Sequence, residues 1–235
     1  MNKHAESLIE VREVYRTFYQ GEIEVHALRG VDLDVGVGEF SVLAGPSGSG
    51  KTTLLNQIGC LDRPTRGTVH VDGTEVSAFD KNEAAEFRLR KIGFVFQAYN
   101  LIPVLSAYEN AEFVMMLAGV DADERRRRVE GLLTEVGLEG MMDRRPGELS
   151  GGQQQRVAVI RALAARPAVV LADEPTANLD SDTSRELLDL MVELNREHDV
   201  TFLFSSHDPV VIDRCRRVIR LDSGQVVGDE RREDA

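Results

Sequence analysis

Residues 38–59 read GEFSVLAGPSGSGKTTLLNQIG. The run into Ala44 reads as a buried strand, and the residues from Lys51 to Gly59 read as a helix. Between them, Gly45-Pro46-Ser47-Gly48-Ser49-Gly50-Lys51-Thr52 fits the spacing G-x-x-x-x-G-K-[ST], in the strand-to-helix context that this spacing needs. Glycines let successive backbone N–H groups curl around phosphate oxygens, and the helix N-terminus adds its positive dipole end. Lys51 supplies a point charge for the β- and γ-phosphates, Thr52 supplies a hydroxyl oxygen for Mg²⁺, and Thr53 joins the phosphate-facing set. A glycine turn that merely precedes a lysine is the bland alternative.

A second element argues against that alternative. Val169-Val170-Leu171-Ala172-Asp173-Glu174 is an apolar run ending in two acids, as a central parallel strand would end at its ligand-binding edge. Asp173 is expected to hold the Mg²⁺ hydration shell. Glu174, one residue on, is expected to orient or deprotonate an attacking water. Two solvated acids after a strand are the competing reading, and the upstream loop disfavours it.

Glu148 opens a second glycine turn, ELSGGQQQR, again at the start of a helix but without a lysine. One active site has no use for two phosphate cradles. Two copies of the chain do. If subunits pack about a two-fold axis, Ser150, Gly151, Gly152 and Gln153 of each can close over the other's ATP.

Outward from these motifs, the chain alternates in the manner of an α/β protein. Strand-like segments lie near both ends, and a helical block at residues 97–166 interrupts them. Within that block Val129, Leu132, Leu133 and Val136 recur at helical spacing. Leu187, Leu190, Met191 and Leu194 form a second helical stripe, with Ser181 or Asp182 as its cap. The expected architecture is a parallel-sheet core with helices on both faces and an N-terminal antiparallel β portion. Residues 1–96 and 167–235 form that core in one domain of 1–235.

The 235 residues are 42% hydrophobic and carry a formal net charge of −12. That acidity argues against nucleic acid as a partner. Two distant cysteines offer neither a disulfide framework nor metal-ligand spacing, so reduced thiols are expected. No secretory leader and no bilayer-length apolar stretch is evident, and the tail GDERREDA is too short for a further domain. A membrane connection must therefore run through a partner. Arg125 to Arg128 form one dense basic run, read as a solvated helix face or as a contact for anionic lipid or an acidic partner.

GPSGSGKT, LSGGQQQR and VVLADE, in this order, resemble the ATP-binding subunits of ABC transporters, and the resemblance covers essentially the whole chain. It implies a P-loop NTPase core, ATP and Mg²⁺ as ligands, and an ATP-dependent dimer of identical or related chains. It also implies roles for further residues: Gln97 toward Mg²⁺ and water, Asp180 at the dimer seam, and His207 near the γ-phosphate. Phe18 falls where the family stacks an aromatic on adenine, with Tyr15 and Tyr19 as rivals. The stretches IGCLDRPTRGTVHVDG and FVFQAYNLIPVLSAYEN are similar to the lipoprotein-releasing and macrolide-exporting branch, which includes a cell-division ATPase. That resemblance implies a separate transmembrane permease docking near Gln97 to Leu105, on the cytoplasmic side of the inner membrane. A mechanical regulator of a cell-wall enzyme and a soluble ABC ATPase are the alternatives.

Overall fold

The computed structural model describes residues 7–232; the outermost residues, on which the leader and tail readings partly rest, lie outside the described residues. An antiparallel hairpin opens the chain, β1 (Ser7–Gln20) and β2 (Ile23–Gly36). With β4 (Arg66–Val71) and β5 (Thr74–Glu75) it forms a four-stranded sheet in the order β2-β1-β4-β5. Ile9, Val11, Val31, Val35, Val69 and Val71 alternate onto its buried face.

The larger sheet holds β3 (Phe40–Ala44), β6 (Ile92–Phe96), β7 (Val169–Asp173), β8 (Thr201–Ser206), β9 (Arg217–Asp222) and β10 (Gln225–Arg231). Its order is β10-β9-β3-β8-β7-β6, all parallel except β10. Both faces are covered, so the strands read as near-continuous apolar runs. Phe40, Val42, Phe202 and Phe204 point into one core, and Leu43, Leu171, Leu203 and Ile219 into the other.

The helices are α1 (Lys51–Ile58), α2 (Lys81–Lys91), α3 (Ala107–Leu117), α4 (Ala122–Glu135), α5 (Gly151–Ala164), α6 (Ser181–His198) and α7 (Pro209–Arg214). Leu54, Leu55 and Ile58 of α1 and the four-stranded sheet fill the second core together, so that face is covered mainly by strands and not by a helical layer. Helix α3 packs on α4 and α5, while α5 also rests on β6 and α6. Val129, Leu132, Leu133 and Val136 are all buried, as their spacing predicts.

Two local expectations change, and one helix is added. The cap of α6 is Asp180, whose carboxylate accepts from the N–H groups of Asp182 and Thr183. Helix α2 has no counterpart in the apolar periodicity, since Ala84 is its one buried residue. The basic run is not a uniform solvated face: Arg125 pairs with Glu112 at 2.9 Å, and Arg128 donates to the carbonyls of Leu163 and Ala164. Those carbonyls end α5, where a cation favours the helix dipole.

Candidate active site

Four neighbouring parallel strands deliver the chemistry to one edge. Ala44, Phe96, Asp173 and Ser206 are the last residues of β3, β6, β7 and β8. Ala44 pairs with Ser206, Ser205 with Asp173, and Asp173 with Phe96. The residues that follow them, the glycine loop, Gln97, Glu174 and His207, therefore emerge side by side at the carboxyl edge of the sheet. They enclose a cleft of about 480 Å³ lined by Ser47, Gly48, Gly50, Lys51, Thr52 and Thr53 together with Gln97, Glu174 and His207.

Gly50 caps α1 with φ 105°, a conformation that L side chains rarely adopt, and a Cβ there would stand 2.7 Å from the Ala27 carbonyl. Gly45 has a comparable reason to lack a side chain: its Cβ would meet the Leu221 carbonyl at 2.1 Å. The loop is braced from outside by the β9–β10 turn, where the Gly224 N–H donates to the Ser49 carbonyl at 3.0 Å. The buried Lys51 Nζ donates to the carbonyls of Gly45 and Pro46 at 2.7 and 3.0 Å, so the loop itself holds the ammonium over the cleft. The Ser49 hydroxyl is buried without a partner among the described residues. A glycine loop at a helix N-terminus, with the Lys51 charge opening onto the same cleft, suits a polyphosphate.

The Thr52 hydroxyl donates to Asp173 Oδ1 at 3.0 Å. Hydroxyl and carboxylate oxygens held this close are the hard donor set that Mg²⁺ prefers, and Gln97 opens onto the same cleft.

Glu174 has φ 45°, outside the usual range for its residue type, and its N–H is tied to the Ser205 carbonyl at 2.8 Å. Its carboxylate accepts from Ser206 Oγ at 2.9 Å and lies 2.7 Å from His207 Nδ1. Ser206 Oγ in turn accepts from the Asp208 N–H, and Asp208 holds Thr176 at 3.2 Å. Sequence reading missed Ser206, although its place beside His207 at the end of an apolar strand was a usable signal.

Gly45, Pro46, Ser49 and Asp173 belong to the loop and strand end that frame the cleft without lining it, and six further expected residues lie elsewhere. Ser150 and Gln153 form a capping box on α5: Ser150 Oγ accepts from the Gln153 N–H, and Gln153 Oε1 accepts from the Ser150 N–H. Gly151 and Gly152 lie beside them, where a Cβ would meet the Tyr99 hydroxyl at 2.8 Å and the Thr183 methyl at 2.6 Å. Asp180 caps α6; the Thr183 hydroxyl and backbone N–H hold its carboxyl below the ordinary range. Phe18 sits on the hairpin with the Arg16 guanidinium 4.4 Å above its ring. Its rivals are placed differently, Tyr15 against Gly30 and Tyr19 well exposed.

A strand–glycine loop–helix unit, a hydroxyl–carboxylate pair and a carboxylate at the next strand end define a P-loop nucleotide-hydrolase fold. Residues 28–177 match the family described as ABC transporter. The lipoprotein-releasing system ATP-binding protein LolD of Anaeromyxobacter dehalogenans is 49% identical over 94% of this chain and 93% of that protein. An uncharacterized ABC transporter ATP-binding protein of Thermotoga maritima is 49% identical over 96% of both. The macrolide export ATP-binding/permease protein MacB of Syntrophobacter fumaroxidans is 48% identical over 93% of this chain, which spans only 31% of that protein. Among solved structures, the dimeric ATP-binding cassette MJ0796, in a post-hydrolysis state bound to ADP and Pi, has a TM-score of 0.87 at 42% identity. It covers 95% of this chain and 98% of its own. The chain belongs to the ABC transporter family, as an ATP-binding cassette ATPase of the lipoprotein-releasing and macrolide-export branch. Among the described residues no helix is long and apolar enough to cross a membrane.

Proposed function

We propose that this chain is the ATP-hydrolysing subunit of a membrane machine in which two such subunits close around two ATP molecules and drive a separate permease. One observation carries the reading. The phosphate loop, Gln97, Glu174 and His207 line one cleft, while Ser150 to Gln153 lie outside it at the N-terminus of α5. A second copy, or a related chain, is what brings that turn to a nucleotide. Asp180, beside the same turn through Thr183, belongs to the same seam.

In this reading the loop N–H groups and Lys51 grip the phosphates, and Phe18 stacks on the base. Thr52, Asp173 and Gln97 would hold Mg²⁺, which offsets negative charge on the phosphate oxygens. Glu174 orients and deprotonates water at the γ-phosphate, and His207 with Lys51 stabilises the charge that develops there. The arm at 97–166 moves against the body formed by 1–96 and 167–235, transmitting closure to the partner. An apolar groove of about 340 Å³ beside the Gln97 loop supports docking there; it is lined by Leu61, Leu89, Phe94, Phe96 and Val114 with Arg88 and Arg161. The neighbouring loop is braced by buried Asn110, which bonds the backbone of Ile102, Leu105 and Ser106, and it presents Val104 71% exposed. Such a partner would keep the chain at the cytoplasmic face of the inner membrane.

The test is Glu174→Gln. Phosphate release should fall about 100-fold or more, while ATP drives a stable dimer visible by light scattering. Normal turnover in that variant would remove Glu174 from the role of base. Recovery of the tagged variant from detergent-solubilised membranes, with the co-purifying protein identified by mass, then separates a permease from a cell-wall regulator. Recovery with soluble partners alone would overturn the membrane reading.

A further inference from the structure

Gln155 stands in the second turn of α5 and is fully buried. Its side-chain amide donates to the Pro175 carbonyl at 2.7 Å and to the Phe96 carbonyl at 3.3 Å. Pro175 follows Glu174, and Phe96 precedes Gln97. The amide oxygen is buried with no partner among the described residues. An orphaned buried acceptor is costly, so this glutamine is a poor choice for stability alone, and an apolar side chain of similar volume would avoid that cost. What only a donor supplies is a link from one helix to two loop carbonyls at once.

We infer that Gln155 is a positioning residue that couples the two ATP sites of the dimer. This rests on the shared-site reading above. Gln97 and Glu174 serve the chain's own nucleotide. Ser150 to Gln153, at the N-terminus of the helix that carries Gln155, serve the neighbour's. A shift of either loop on nucleotide binding is therefore passed to the turn offered across the interface. Arg161 of α5 also donates to the carbonyls of Tyr99 and Asn100, but that tie reaches only the loop after Gln97. Gln155 reaches both loops and is buried from solvent.

The experiment places Gln155→Met and Gln155→Glu separately in the Glu174→Gln background. The first keeps the volume and removes the donor. The second keeps the shape and turns an acceptor toward the two carbonyls. Two readouts are compared: the ATP concentration that half-saturates dimer formation, by light scattering, and the affinity of the monomer for ADP, by calorimetry. The expected result is a rise of about tenfold in the dimerisation midpoint with ADP affinity held within about twofold. Equal shifts in both readouts would reduce Gln155 to general support of the fold and overturn the inference, as would no shift in either. Failure of the Glu174→Gln parent to dimerise with ATP would strike the shared-site reading itself, a result separable because it precedes any change at Gln155.

Discussion

His207 Nδ1 and Glu174 Oε1 lie 2.7 Å apart, and Ser206 holds the other oxygen of the same carboxylate at 2.9 Å. The carboxylate is thus fixed at both oxygens by residues of one strand end. A hydrogen bond to a charged group contributes about 1.5–3 kcal/mol. Ser206→Ala removes one of these two anchors and leaves the histidine contact. We expect kcat for ATP hydrolysis to fall about tenfold with KM within about twofold. Steady-state phosphate release checks this; a raised KM at unchanged kcat would assign Ser206 to binding instead.

Arg217 is 6% exposed and sits between two acids, Glu39 at 2.9 Å and Asp229 at 2.7 Å. Burial alone would raise the Glu39 carboxyl, but hydrogen bonds from Arg217 and Ser41 outweigh it and the net shift is downward. Asp229 is also lowered, chiefly by its hydrogen bond from Arg217. Both acids are depressed in the folded state, so the unfolded chain binds more protons and stability rises with pH across the window. The contribution is complete above the ordinary carboxylate range near about pH 4 and is lost as pH falls through the lowered folded values. Urea unfolding from pH 7 to pH 3 should therefore show a steeper acid loss in the parent than in Arg217→Gln. Parallel curves would mean that the cluster does not set the acid limit.

Burial pushes the Cys60 thiol up to about 11, and burial also raises that of Cys215, which is fully enclosed. The thiolate is the nucleophile, so neither sulfur should react with iodoacetamide at pH 7.5 while the protein is folded. Both should react once it is unfolded in guanidinium. Intact-mass measurement before and after unfolding reads this directly, and rapid labelling of the folded chain would show that one of these regions opens.

What could be read from the sequence was local. The glycine loop and its strand lie within a few residues of each other, and each residue type has a reason that needs no distant contact. The same holds for Val169 to Glu174. Helix α2 was harder, because Ala84 is its one buried residue and the apolar periodicity is weak. Its start was nonetheless encoded in the capping box of Asp80 and Glu83, a signal independent of burial. Arg128 and Gln155 were illegible for another reason: their partners lie 36 and 20 residues away, on elements that only the fold brings close. Gly151 and Gly152 have a further reason to lack side chains that no local pattern shows: a Cβ on either would meet Tyr99 or Thr183, brought there by the fold.

The place of β3 has a consequence for biosynthesis. This strand carries the glycine loop, yet its two sheet neighbours are β8 and β9, and the Gly38 N–H finds its acceptor on Thr201, 163 residues later. A ribosome adding about 5–20 residues per second leaves Phe40 to Ala44 without strand partners for on the order of ten seconds or longer. Throughout that interval a nascent chain carries its complete phosphate loop but lacks the β-sheet edge that aims it. The cleft itself is complete only once β8 and His207 have been made, long after the loop that nucleotide would grip.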